Sequence, residues 1–208
     1  SPPHHPHYLT HLRHPRAGGD PVWQGAPVTV APPLQLQHAL RHRLGIEPRH
    51  VIGAPRQRVV PQDMPQAQAW DLALERFRAW GNAAQANGTT LSVEANPAGY
   101  GTNFLNTLGE TLDFVDRLAE PAVKVVLDTG AVRMNQDSFD LAAVISKIGH
   151  VHLSEPLLAP APAEVAPTAA LLNDLAEAGY QRAVSIEMNH ADHRLQRREG
   201  VVRDLWAC

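Results

Sequence analysis

Residues 123–155 read VKVVLDTGAVRMNQDSFDLAAVISKIGHVHLSE, and this stretch decides the fold. It opens on VKVVLD, a β-branched run of strand type, and closes on GHVHLSE, a second strand-like run. Between them SFDLAAVISKIG predicts a helix, with Ser138 placed as its N-cap. Strand, helix, strand within about 30 residues is the βα repeat of a parallel sheet. Each strand carries a metal-capable side chain at or near its C-terminal end, Asp128 on the first and His152 on the second.

The same rhythm continues outward on both sides. Upstream, PQAQAWDLALERFRAWGNAAQANG has apolar residues mostly at helical spacing and stops at Gly88. TTLSVE follows as a strand ending on Glu94, then the loop EANPAGYGTN. FLNTLGETLDFVDRLA predicts a helix whose apolar face includes Leu105, Leu108, Leu112 and Val115. Further upstream, RHVIGAP reads as a short strand stopped by Pro55, and LQLQHALRHRLG as a helix ending at Gly45. Downstream lie the proline-rich loop EPLLAPAPAEVAP, a helix in PTAALLNDLAEAGY and the strand AVSIE, which ends on Glu187. The tail HADHRLQRREGVVRDLWA can form one more helix. Strands alternating with helices predict the α/β class, a parallel sheet with helical cover.

Side chains alternate along a strand, so parity tests whether the strand ends can converge. Thr90, Ser92 and Glu94 share a face, as do Lys124, Val126 and Asp128. Parity also groups Ile148 with His150 and His152, and Ala183 with Ser185 and Glu187. The opposite faces, such as Leu91 with Val93 and Val125 with Leu127, are apolar. In a closed βα barrel the apolar face packs on helices and the other points to the axis, with strand C-termini at the catalytic mouth. Taken singly, Glu94 is a strand end before a polar turn, Asp128 a turn aspartate and His152 a core histidine. Four in register, three carboxylates and one imidazole, make a divalent-cation site.

Composition narrows the classes. With 44% hydrophobic and 19% charged residues, the 208-residue chain reads as a soluble protein able to bury a core. A net charge of −3 without a basic stripe gives no support for nucleic-acid binding. No apolar run approaches the roughly 20 residues that span a bilayer, so no membrane partner is expected. No signal-peptide pattern is present, and the one cysteine, Cys208, allows no internal disulfide, which together predict a cytoplasmic protein. Residues 1–33 stand apart, with eight prolines and five histidines and no regular period. They are expected to be a disordered leader or foreign to the fold, with residues 34–208 forming the domain.

The segment from about residue 50 to 206 resembles the sugar phosphate isomerase/epimerase family, the xylose isomerase-like TIM barrels. LSVEANPAGYGTNF, VVLDTGA, GHVHLSEPLLAP and GYQRAVSIEM carry the likeness. The resemblance implies one divalent cation, manganese, magnesium or zinc, held by Glu94, Asp128, His152 and Glu187. It implies a sugar or sugar-phosphate substrate and an enediolate, with Glu94 and Glu187 as the catalytic pair that takes and returns a proton. His150, Glu155 and Asn96 become candidates for orienting the metal-bound histidine or touching substrate.

Departures from the family are visible too. Where many members carry a histidine three residues after the aspartate, this chain has Ala131, which speaks against the endonuclease IV branch and its trinuclear zinc site. A TIM barrel takes about 250 residues, and only five strands can be counted, matching the family's strands four to eight. A partial barrel of about five strands is therefore expected, possible as a homodimer. Two other readings stay open: a catalytically inactive barrel remnant that at most binds metal, and an endonuclease IV-like phosphoesterase.

Overall fold

The computed structural model describes residues 49–52 and 58–189. Five parallel strands form one sheet in chain order: β1 (Arg49–Ile52), β2 (Thr90–Glu94), β3 (Val123–Asp128), β4 (Ile148–Ser154) and β5 (Val184–Glu187). Helix α1 (Gln66–Ala86) joins β1 to β2, and α2 (Leu108–Leu118) joins β2 to β3. Two short helices, α3 (Thr129–Asn135) and α4 (Leu141–Val144), lead to β4, and α5 (Val165–Glu177) leads to β5. The chain is thus α/β, a partial barrel of the expected kind. The leader, the predicted helix at 34–45, Pro55 and the tail from residue 190 lie outside the described residues. Among the described residues, no helix is long and apolar enough to cross a membrane.

One face of the sheet meets the helices and makes the core. Val93, Val125, Leu127, Val151 and Leu153 pack there against Phe77 of α1 and Phe114, Val115 and Leu118 of α2. Phe114 is fully buried and sits edge-on to Phe77 at 5.1 Å between ring centres. Helix α2 begins later than its apolar pattern suggests because Thr107 caps it. The Thr107 hydroxyl accepts the Glu110 N–H at 3.1 Å, and the Glu110 carboxylate accepts the Thr107 N–H at 3.3 Å. This reciprocal box satisfies two backbone donors that the first turn leaves open. Leu105 therefore lies ahead of the helix, buried in the core at φ +52°.

Two local expectations are corrected between β3 and β4. The helix predicted over SFDLAAVISKIG shrinks to α4 and a following 3-10 turn, and its cap is Asp140, which accepts the Ala142 N–H at 3.0 Å, rather than Ser138. Much of the connection is instead taken by α3, which starts directly at the end of β3 with Asp128 as its N-cap.

The second correction concerns parity on β4. Val125 stands opposite Ile148, but Val126 stands opposite His150, so β4 holds one extra residue at Gly149. A bulge of this kind reverses the alternation. Ile148 consequently joins the helix-facing core with Val125 and Val151, and does not share a face with His150 and His152. Only glycine fits at the bulge: a Cβ on Gly149 would lie 2.3 Å from Ser92 Oγ and 2.6 Å from Lys124 Cβ.

Candidate metal centre

Glu94, Asp128 and Glu187 are the last residues of β2, β3 and β5, and His152 lies two residues before the end of β4. Strand pairing sets Asp128 directly opposite His152, and Ser154 opposite Glu187. The four side chains meet on the face away from the helices. His152 Nδ1 lies 2.6 Å from Glu94 Oε1, 2.9 Å from Glu187 Oε2 and 3.7 Å from Asp128 Oδ2. One ligand atom from each residue falls within 4.8 Å of all the others. His152 is fully enclosed, whereas the Glu187 side chain keeps 24% of its surface exposed, which leaves the group open toward the β5 side.

Three carboxylates around one buried imidazole make an electron-rich hole. Burial alone would lower the His152 pKa, but hydrogen bonds to Asp128, Glu187 and Glu94 and the Glu94 charge outweigh it and push it up to about 12. Burial raises the Glu94 carboxyl, the His152 ring opposes that, and the charges of Glu187 and Asp128 raise it further. Asp128 goes the other way. Burial would raise it, yet hydrogen bonds from His152, the Ala131 N–H and Ser154 together hold it below the usual carboxylate range.

The donor set fits a divalent cation. Oxygen, oxygen, oxygen and nitrogen suit a borderline-to-hard ion such as zinc, manganese or magnesium. Asp128 Oδ1 is already taken by the Ala131 N–H at 2.6 Å and the Ser154 hydroxyl at 2.7 Å, leaving Oδ2 for the centre. His152 Nε2 is buried and has no hydrogen-bond partner among the described residues. With Nδ1 turned to the three carboxylates, Nδ1 is the ring atom able to ligate.

The remaining predicted residues surround this group in different ways. His150 is buried one step below, with Nε2 2.8 Å from Ser185 Oγ and its ring edge-on to His152 at 4.9 Å. Glu155 is buried too, but both its oxygens are engaged elsewhere: one pairs with Arg133 of α3 and the other accepts the Ala163 N–H, in the loop after β4, at 2.9 Å. It does not belong to the converging group. Asn96 uses its carbonyl to close the loop after β2, accepting the Thr102 hydroxyl at 2.7 Å and the Asn106 amide at 2.6 Å.

Ser154 and Tyr100 escape a reading of the sequence. Ser154 carries a parity signal, two residues past His152 on the same face. Tyr100 carries none beyond its place in the loop after Glu94. Burial raises its phenol above the ordinary value, the charges of Asp128, Glu187 and Glu94 add to that, and a hydrogen bond with the Leu157 backbone opposes it. Tyr100 is half-buried.

A family model described as xylose isomerase-like TIM barrel matches residues 39–205. The 3-keto-D-glucoside 4-epimerase of E. coli superposes with a TM-score of 0.65 at 17% identity, over 84% of this chain and 69% of that one. An AP endonuclease, family 2, from Brucella melitensis gives 0.63 at 18% identity, over 82% of this chain and 66% of that one. The IolI protein, solved with a zinc atom, gives 0.59 at 16% identity, over 84% and 65%. No curated protein sequence matches the chain. At these identities the structural likeness is one of fold.

Proposed function

The chain belongs to the xylose isomerase-like TIM barrel family, and from that premise we propose that it is a metal-dependent isomerase or epimerase of a sugar or sugar phosphate. Three carboxylates converging on one buried imidazole nitrogen carry this reading. A single divalent ion held by Glu94, Asp128, His152 and Glu187 supplies Lewis-acid polarisation of a substrate carbonyl.

The chain's own residues then divide the work. Asp128, kept ionised by its hydrogen bonds, and His152, fixed between the strands, hold and orient. Glu94 and Glu187 sit on the two outer strands of the four and approach His152 from either side. One carboxylate takes the proton from the carbon beside the carbonyl, and the other returns a proton to that carbon or its neighbour. Burial raises the Glu94 carboxyl above its ordinary value, the direction that makes a carboxylate a stronger proton acceptor. The partly exposed side at Glu187 gives substrate its approach.

A phosphoesterase of the endonuclease IV type is less well supported. Among the described residues there is one group of metal-capable side chains, sized for one ion, and Ala131 stands where a further histidine would be needed. A second reading, a metal-binding remnant without turnover, draws on the sheet order. Among the described residues β1 and β5 each pair on one side only.

Metal content after purification, followed by deuterium exchange at the sugar α-carbon in D₂O, separates these readings. Bound ion with exchange on a ketose or aldose supports the isomerase. Bound ion without exchange on a broad sugar panel favours the remnant. Binding that survives unchanged in Asp128→Ala removes the site itself.

A further inference from the structure

We propose that Ser154 is a positioning residue for Asp128 and through it sets the affinity of the centre for its cation, an inference that rests on the metal reading above. Ser154 closes β4 and is 2% exposed. Its hydroxyl accepts the Gly130 N–H at 2.8 Å and donates to Asp128 Oδ1 at 2.7 Å. A hydroxyl has one hydrogen, and with a lone pair occupied by Gly130 that hydrogen is directed to the carboxylate.

The backbone of Ser154 is fastened to the same turn. Its N–H donates to Thr129 Oγ1 at 2.9 Å, and its carbonyl accepts the Thr129 hydroxyl at 2.7 Å. Gly130 leaves the room this requires, since a Cβ there would lie 2.6 Å from Ser154 Oγ and 2.7 Å from the Glu155 carbonyl oxygen.

The consequence is geometric. Without the Ser154 hydroxyl, Asp128 Oδ1 would keep the Ala131 N–H bond at 2.6 Å, about which the carboxylate plane could turn. A second donor on the same oxygen, from the neighbouring strand, fixes the plane and aims Oδ2 at the centre, where it faces His152 Nδ1 at 3.7 Å. Partners that orient metal ligands in this way typically change affinity by about 10–100-fold when removed.

The test is isothermal titration of metal-stripped protein with Mn²⁺ and with Zn²⁺, alongside the melting temperature of the ion-free form. Ser154→Ala is expected to weaken binding by about 10–100-fold, well beyond what its effect on ion-free melting accounts for. An unchanged affinity with a lowered ion-free melting temperature makes Ser154 purely structural and overturns the proposal. Should Ser154→Ala fail to fold, Ser154→Thr and Ser154→Val decide, since they match in shape and differ by the hydroxyl. Thr retaining the affinity that Val loses supports the proposal, and equal affinities sink it. Wild-type protein that binds neither ion removes the metal reading itself, a result distinct from either.

Discussion

Glu94 Oε1 lies 2.6 Å from His152 Nδ1 although β3 runs between their strands. Glu94 ends β2 and His152 lies two residues before the end of β4, both on the same face, so they meet across β3, the strand that carries Asp128. Carboxylates thereby approach the imidazole from three strands, and the charge at the ring decides how the centre responds to pH and to ions.

With its pKa pushed up to about 12, His152 is protonated at neutral pH in the ion-free protein, and a cation must displace that proton. Titration calorimetry at pH 7.5, repeated in buffers of different ionisation enthalpy, is expected to show about one proton released per ion bound. Binding without proton release would contradict an imidazolium between the carboxylates.

The same shifts fix the sign of the pH dependence of stability. His152, raised, contributes stability that is fully present below its unfolded value of 6.5 and is lost as pH rises through about 12. Asp128, lowered, contributes stability that is present above 3.8 and lost as pH falls through its folded value. Glu94, raised, loses its contribution as pH climbs from 4.5 through its folded value. The crowding of charge that then appears is relieved by a cation. Thermal stabilisation by Mn²⁺ should therefore be larger at pH 8 than at pH 5, and the reverse order would refute this charge balance.

Asp128→Asn keeps a side chain of near-equal capping strength for α3 while removing an anionic ligand. The ion-free fold should persist by circular dichroism. Affinity should fall by more than the roughly 10–100-fold that loss of an orienting partner costs. Glu187→Gln should behave alike. Retained affinity in both would place the ion elsewhere.

Gly149→Ala introduces a Cβ into space held by Ser92 and Lys124. Overpacking of this kind destabilises by about 1–3 kcal/mol, readable as a shift of the urea midpoint. A neutral outcome would mean that β2 and β3 can yield at this point.

Thr107→Ala removes one half of the capping box on α2 and should cost about 1 kcal/mol. Thr107→Ser, which keeps the hydroxyl, should recover most of it in the same unfolding experiment.

The strands and the convergence of their ends are legible in the sequence because alternation is a local property. Leu91 and Val93, or Val125 and Leu127, announce the buried face, and Glu94 and Asp128 fall on the other by parity alone. The bulge at Gly149 is not legible, since its cause is the closeness of Ser92 and Lys124 on neighbouring strands. Helix α3 is hidden for a similar reason. TGAVRMN begins directly after Asp128, which reads as a turn aspartate, and its Gly130 argues against a helix until the closeness of Ser154 explains it. Glu155 looks like a site residue in GHVHLSE, and only its bonds to Arg133 and Ala163 show where its oxygens go.

Each strand that contributes to the centre lies beside the one that follows it in the chain. The four converging side chains therefore all fall within one continuous run of the chain, residues 94–187. A change elsewhere in the chain leaves the order and spacing of these four side chains along the sequence as they are.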